Sequence, residues 1–247
     1  MRMDYGAMIT ARMDVRRELE MLADEPYRIF HSRLLPGVEH ILGVRIPKLW
    51  KLARLLAAED GAGYLERASD DTYEEILLQG MVLCLLKEPL DVALKRLPAY
   101  MAKIDNWAEC DVVCSGFKKI RKDQAQGLAF LKPYLHSEKE FEVRFAVVLL
   151  LDYYVDEAHI RETLELLSGV SHPGYYVKMA VAWALSVCYV KFPEATLPYL
   201  QNGIFDEETY HKAIQKIVES NRVSPEAKAY MKQLSKEEKG RRDRDEQ

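Results

Sequence analysis

The chain has 247 residues, 49% hydrophobic and 30% charged, an ordinary globular balance that argues against disorder. Twelve glycines and ten prolines are few for this length and disfavour a loop-rich β-sandwich. Thirty-five basic against 39 acidic side chains leave a formal charge of −4. That weighs against nucleic acid as a partner, since such binding draws on Lys and Arg neutralising phosphates; charges segregated onto one surface would answer the objection.

The N-terminal stretch MRMDYGAMITARMDVRRELE lacks the apolar core of a signal peptide, and its first ten residues are expected to fray. Beyond it nearly every segment reads with helical period. Residues 71–87, DTYEEILLQGMVLCLLK, open on an acidic turn and continue with apolar positions three and four apart. The same holds for 140–154, EFEVRFAVVLLLDYY, and for 174–191, GYYVKMAVAWALSVCYVK. The most apolar run, FAVVLLL at 145–151, is bounded by Arg144 and Asp152 and is far too short to cross a bilayer, so a cytoplasmic protein is expected. Short interruptions with Pro, Gly or Asp fall near residues 36, 89, 133, 172 and 193. A basic helix, TYHKAIQKIVESNR with Lys216 and Arg222, precedes a charged tail at 237–247 that is expected to be disordered. The reading is all-α: about a dozen helices with short turns, residues 1–236 forming one domain.

Trp107, Arg144 and Trp183 recur at intervals of 37 and 39 residues, each in a helix. A period near 40 with two helices per unit points to HEAT-like pairs stacked as a superhelical solenoid, in which residues one repeat apart line one groove.

Trp107 and Asp111 are four apart and share one helix face, behind Asp105 or Asn106 as cap. An indole beside a carboxylate suits a site that stabilises a cationic sugar, and equally a core ring with a surface acid. Arg144 suits a phosphate clamp, a salt bridge to Glu140 or Asp111, or a snorkelling surface position. Trp183, among Ala180, Ala182 and Ala184, reads as a packed core ring or as a platform for a sugar or base. Tyr153, Tyr154, Tyr175 and Tyr176 add aromatics of the kind more often found in cores. Cys84, Cys110, Cys114 and Cys188 sit in apolar or helical contexts and read as buried reduced thiols. Neither they nor the six histidines show metal-ligand spacing, and no phosphate loop or nucleophile elbow occurs.

Four stretches, HILGVRIPKLWKLA (40–53), NWAECDVVC (106–114), EFEVRFAVVLLLDYY (140–154) and GYYVKMAVAWALSVCYVKFPE (174–194), resemble in order and spacing the bacterial HEAT-repeat DNA glycosylases of the DNA alkylation repair family. KAIQKIVES (212–220) fits that family's closing repeat. The resemblance runs from about residue 20 to 235. It implies a monomeric enzyme that excises N3- and N7-alkylated purines from double-stranded DNA without metal or cofactor. It places the catalytic aspartate on Asp111, the two tryptophans flanking the sugar on Trp107 and Trp183, and a backbone-engaging arginine on Arg144. Lys178 and Lys216 join Arg144 as expected DNA contacts. Phe30, with Tyr27 close by, stands nearest the family's N-terminal tyrosine. The implied chemistry leaves the lesion stacked, with no base-flipping pocket. A catalytically silent DNA binder and a protein-interaction solenoid are the rival functions on this scaffold.

Overall fold

Short polar side chains and prolines decide where most of these helices begin. In the computed structural model, which describes residues 14–245, every regular element among the described residues is helical. The chain divides into two compact units, Met1–Asp123 and Gln124–Gln247. The first holds α1 (Val15–Leu22), α2 (Glu25–Ser32), α3 (Ile46–Arg67), α4 (Tyr73–Leu85), α5 (Leu90–Met101) and α6 (Trp107–Gly116). The second holds α7 (Gln124–Leu131), α8 (Glu140–Tyr153), α9 (Ile160–Ser168), α10 (Tyr175–Lys191), α11 (Pro193–Gln201), α12 (Glu207–Glu219) and α13 (Pro225–Asp245). Asp14, Asp24, Thr72, Asn106 and Asp206 cap α1, α2, α4, α6 and α12 by accepting first-turn N–H bonds, which satisfies donors that have no partner inside the helix. Thr72 and Glu75 complete a reciprocal capping box at α4.

In the first unit α4 lies against α3 on one side and against α5 and α6 on another. Its Leu77, Leu78, Met81 and Val82 are fully buried, each contributing about 2 kcal/mol of apolar burial. Close approach is bought with glycine: a side chain at Gly80 would collide with Val113 and Tyr100, and one at Gly116 would meet the Trp50 ring at 2.5 Å. The long helix α3 breaks at Asp60 (φ −152°, ψ 61°), whose carboxylate accepts from the Gly63 N–H and from Arg67 and so restarts the helix.

In the second unit α8, α10 and α12 pack side by side, while α9 and α11 pair with each other and with α10 as a further layer. Alternate helices are therefore neighbours, the packing that stacked helix pairs produce. Val143–Leu151 of α8 is buried throughout, and Ala180, Ala182 and Ala184 let its neighbours close on α10. Helix α13 continues through the charged stretch after residue 236 as far as Asp245, where composition pointed to disorder. Its Lys, Glu, Arg and Gln residues are strong helix formers, and Gln233 donates to Glu237 one turn on. The fraying expected of the first ten residues concerns positions outside those described. No helix among the described residues is long and apolar enough to cross a membrane.

Candidate functional site

Helix α6 starts sharply because its first turn is capped from both directions. The Asn106 side-chain oxygen accepts from Ala108 N and Glu109 N, both at 3.0 Å, while the Glu109 carboxylate reaches back to Asp105 N at 3.3 Å. Trp107 is the first helical residue, and its indole N–H donates to the Leu34 carbonyl at 3.0 Å. That bond fixes the ring while leaving it partly exposed. Asp111 follows one turn later on the same face, half-buried. The first unit thus brings together the indole and the carboxylate that the sequence paired.

Leu34 lies just beyond α2, whose Phe30 is 58% exposed and whose Ile29 is exposed as well. Tyr27 is committed inside the unit instead. Its ring stacks on His31 with centroids 5.1 Å apart, lies under the Arg45 guanidinium at 4.8 Å, and has its hydroxyl 3.4 Å from His31 Nδ1. Of the two candidates at this position, Phe30 is the one presented to solvent.

Behind α6 lies a cavity of about 270 Å³ lined by Gly37, His40, Asp70, Tyr73, Asp105 and Glu109, among others. Glu109 is 1% exposed. Burial, reinforced by the Asp105 carboxylate, pushes its pKa up to about 8. His31, 3.2 Å from the Tyr73 hydroxyl, is held below its ordinary pKa by burial.

Sequence reasoning missed one carboxylate nearby. Glu74, fully buried, accepts N–H bonds from Leu42, Gly43 and Val44 at 2.9, 2.7 and 3.0 Å. It anchors the extended segment before α3. Its place in an acidic first turn gave no hint of this, since the donors lie about thirty residues away.

In the second unit Arg144 is 6% exposed, which removes the snorkelling reading. Its Nη1 donates to the Tyr176 carbonyl at 2.8 Å, and the guanidinium lies 5.9 Å from the Tyr176 ring centre. Glu140, one turn earlier on α8, accepts the Tyr176 N–H at 2.6 Å, so two side chains of α8 grip the backbone of one residue at the start of α10. Gly174 is needed there, because a side chain would meet the Glu140 carboxylate at 2.5 Å. Trp183 lies two turns after Tyr176. It is 36% exposed although Ala182 and Ala184 on either side are fully buried, so the ring stands clear of the core. Tyr153 and Tyr154 are core residues, whereas Tyr175 is exposed.

Lys178 is five residues from Trp183 and faces another side of α10. Its ammonium pairs with Glu208 at 2.9 Å and Asp206 at 3.4 Å, at the first turn of α12. The hydrogen bond to Glu208 is the main cause of its raised pKa. Lys216, half-buried on α12, has no ion-pair partner among the described residues. The four cysteines form no disulfide. Burial pushes Cys84 and Cys188 up to about 12, which leaves them protonated and unreactive at neutral pH. Among the described residues no three His, Cys, Asp or Glu side chains converge as a ligand set for a metal ion.

A family model described as DNA alkylation repair enzyme matches residues 15–238, nearly the whole chain and every candidate site residue. No curated protein matches it.

Proposed function

The chain belongs to the DNA alkylation repair enzyme family, and from that premise we propose that it is a monofunctional DNA glycosylase that excises N3- and N7-alkylated purines. The observation that carries this reading is the pairing on α6, an indole tied at its nitrogen to Leu34 and a half-buried carboxylate one turn along.

Alkylation at N3 or N7 leaves the purine positively charged, so the base departs without a general acid. The sugar left behind is oxocarbenium-like, and Asp111 stabilises the developing charge and orients the attacking water. The faces of Trp107 and Trp183 add cation–π attraction as that charge builds. Arg144 engages the phosphodiester backbone, its guanidinium plane set by the Tyr176 carbonyl. Phe30 and Lys216 add contacts to the duplex. The lesion stays stacked, approached from the backbone side, and the double-stranded substrate is bound by a monomer with no metal or cofactor.

A second reading, a catalytically silent DNA binder, is favoured by two observations: the net charge of −4, and the two carboxylates that occupy Lys178. One experiment separates the two readings. Base release from duplex DNA carrying 3-methyladenine or 7-methylguanine is compared for the wild type and Asp111→Asn. A loss of about tenfold or more in the variant, with DNA affinity kept, is the outcome expected of a charge-stabilising carboxylate. No release from either protein, despite binding, leaves the silent binder; absence of binding as well points to a protein partner.

A further inference from the structure

The formal charge of −4 is spread unevenly, and one segment of the first unit runs strongly the other way. Directly after α6 the chain makes a 3-10 turn, Lys118–Lys122, in which four of the five residues are cationic. Lys118, Arg121 and Lys122 are exposed, while Ile120 is buried and pins the turn to the core. Lys119 is half-buried, and its ammonium donates to the Leu83 and Leu86 carbonyls at 3.0 and 3.1 Å. Carbonyls at a helix end favour a cation, so one lysine of the turn fixes it against the end of α4.

Further cations gather on this anchor. Lys87, next to Leu86, is exposed. Burial holds Lys119 below the ordinary lysine pKa; Lys122 and Arg96 of α5 push the same way, against the pull of Glu88 and Cys84. Two acids belong to the group. Glu88 accepts from Arg96 Nε at 3.2 Å, and Asp123 closes the turn. Lys87, Lys118 and Lys122 have no ion-pair partner among the described residues, in contrast to Lys178 with its two carboxylates.

We propose that this turn, with Lys87 and Arg96, is a phosphate-docking surface that grips the DNA duplex beyond the lesion. The proposal rests on the DNA-repair reading for one thing, the identity of the polyanion. Lys118 comes seven residues after Asp111, about 10 Å at the helical rise of about 1.5 Å per residue. Exposed Ser115, four residues on from Asp111, lies between them. A duplex advances about 3.4 Å per base pair, so a backbone passing Asp111 brings phosphates to the turn about three steps away. Flexible ammonium groups hold such phosphates without reading sequence, as a repair protein requires. A lipid surface fits less well, because it needs exposed apolar residues beside the cations, and Phe117 and Ile120 are fully buried.

The test is an anisotropy titration of an undamaged duplex of roughly 20 base pairs, at salt concentrations from about 50 to 200 mM. It compares the wild type with Lys118→Gln/Lys122→Gln, both exposed and unpaired, while Lys119 stays in place as the anchor. Each phosphate contact contributes about 0.9 to the slope of log affinity against log salt. The variant is therefore expected to show a slope shallower by about 2 and affinity at least about tenfold weaker at low salt. Lys232→Gln/Lys236→Gln removes the same charge from exposed positions on α13 and should stay within about twofold of the wild type. Unchanged affinity and slope in the turn variant overturn the proposal and leave the turn to another acidic partner. An equal loss in the α13 variant also overturns it, since net charge and not place would then be responsible, and so does a wild type that binds no duplex. The duplex carries no lesion, so the outcome is independent of base release. A wild type that binds through the turn but releases no base refutes the glycosylase reading alone, and base release with an unaltered slope refutes the docking surface alone.

Discussion

Consider removing the Glu74 carboxylate. Its Oε1 accepts from Gly43 and Val44 and its Oε2 from Leu42, inside a fully buried setting. Hydrogen bonds to a charged acceptor contribute roughly 1.5–3 kcal/mol each, and an orphaned buried donor costs about 1–3 kcal/mol. Three such bonds share one group and do not add in full, so Glu74→Ala is expected to lose about 4–6 kcal/mol. Glu74→Gln keeps one oxygen and turns an N–H donor toward the remaining backbone N–H groups; about half that loss follows. Against a domain stability of about 5–15 kcal/mol, the alanine variant stands near the edge of unfolding. The assay is urea unfolding at pH 7 followed by tryptophan fluorescence, which reports chiefly on the first unit because Trp50 and Trp107 both lie there. A midpoint shift of about 2 M at constant slope is expected for Glu74→Ala. A shift equivalent to less than about 1 kcal/mol would show that the segment at residues 41–45 is held by something other than this carboxylate.

Three further outcomes follow from the same structure. Glu109 has a folded-state pKa of about 8, above the ordinary carboxyl value of 4.5, so the native state holds its proton more tightly than the unfolded chain. Its stabilising contribution is therefore complete below about pH 4.5 and is lost as pH rises through 8, by up to about 5 kcal/mol; urea midpoints from pH 4 to 9 should fall in the wild type and flatten in Glu109→Gln. Gly43 combines φ +88° with an approach that would put a Cβ 2.6 Å from the Arg28 Cβ. Gly43→Ala should cost about 2–4 kcal/mol, read as a lower Tm, and an unchanged Tm would refute the close packing. Finally, Glu208→Gln removes the nearer of the two carboxylates on Lys178. If Lys178 reaches phosphate, DNA affinity at low salt should rise about two- to fivefold with a steeper salt dependence in anisotropy titrations. No change would confine Lys178 to joining α10 and α12.

Helix class and several helix starts were legible in the sequence, because period and caps are local signals. Asp105 and Asn106 before Trp107 bracketed the start of α6, where Asn106 is the cap, and the spacing of four placed Asp111 on its face. Arg144 was legible as a residue with a task, but not what it would hold. Its partner is a backbone carbonyl 32 residues later, and any residue type could have supplied it. Lys178 was read for its charge, although two acids in α12 had already taken that charge. Trp183 could not be settled by its alanine neighbours, since small flanks fit a packed ring and a raised one equally. The break in α3 at Asp60 falls just before Gly61 and Gly63, a pairing that only the geometry interprets. Local chemistry wrote the helices; the missed contacts join chain segments far apart in sequence.

The indole of Trp107 spends its only polar hydrogen on the Leu34 carbonyl. What remains facing outward is hydrocarbon, unable to tell one hydrogen-bonding edge of a nucleobase from another. Whatever meets this ring is judged by shape and polarisation alone, an economical trait for a surface that would have to accept damage in any sequence context. The acceptor is main chain, so the constraint falls on the path of residues 33–40 and leaves the letter at position 34 free to drift. Two descendants could differ at that letter and share the contact, or share the letter and lose the contact through one inserted residue beside Pro36.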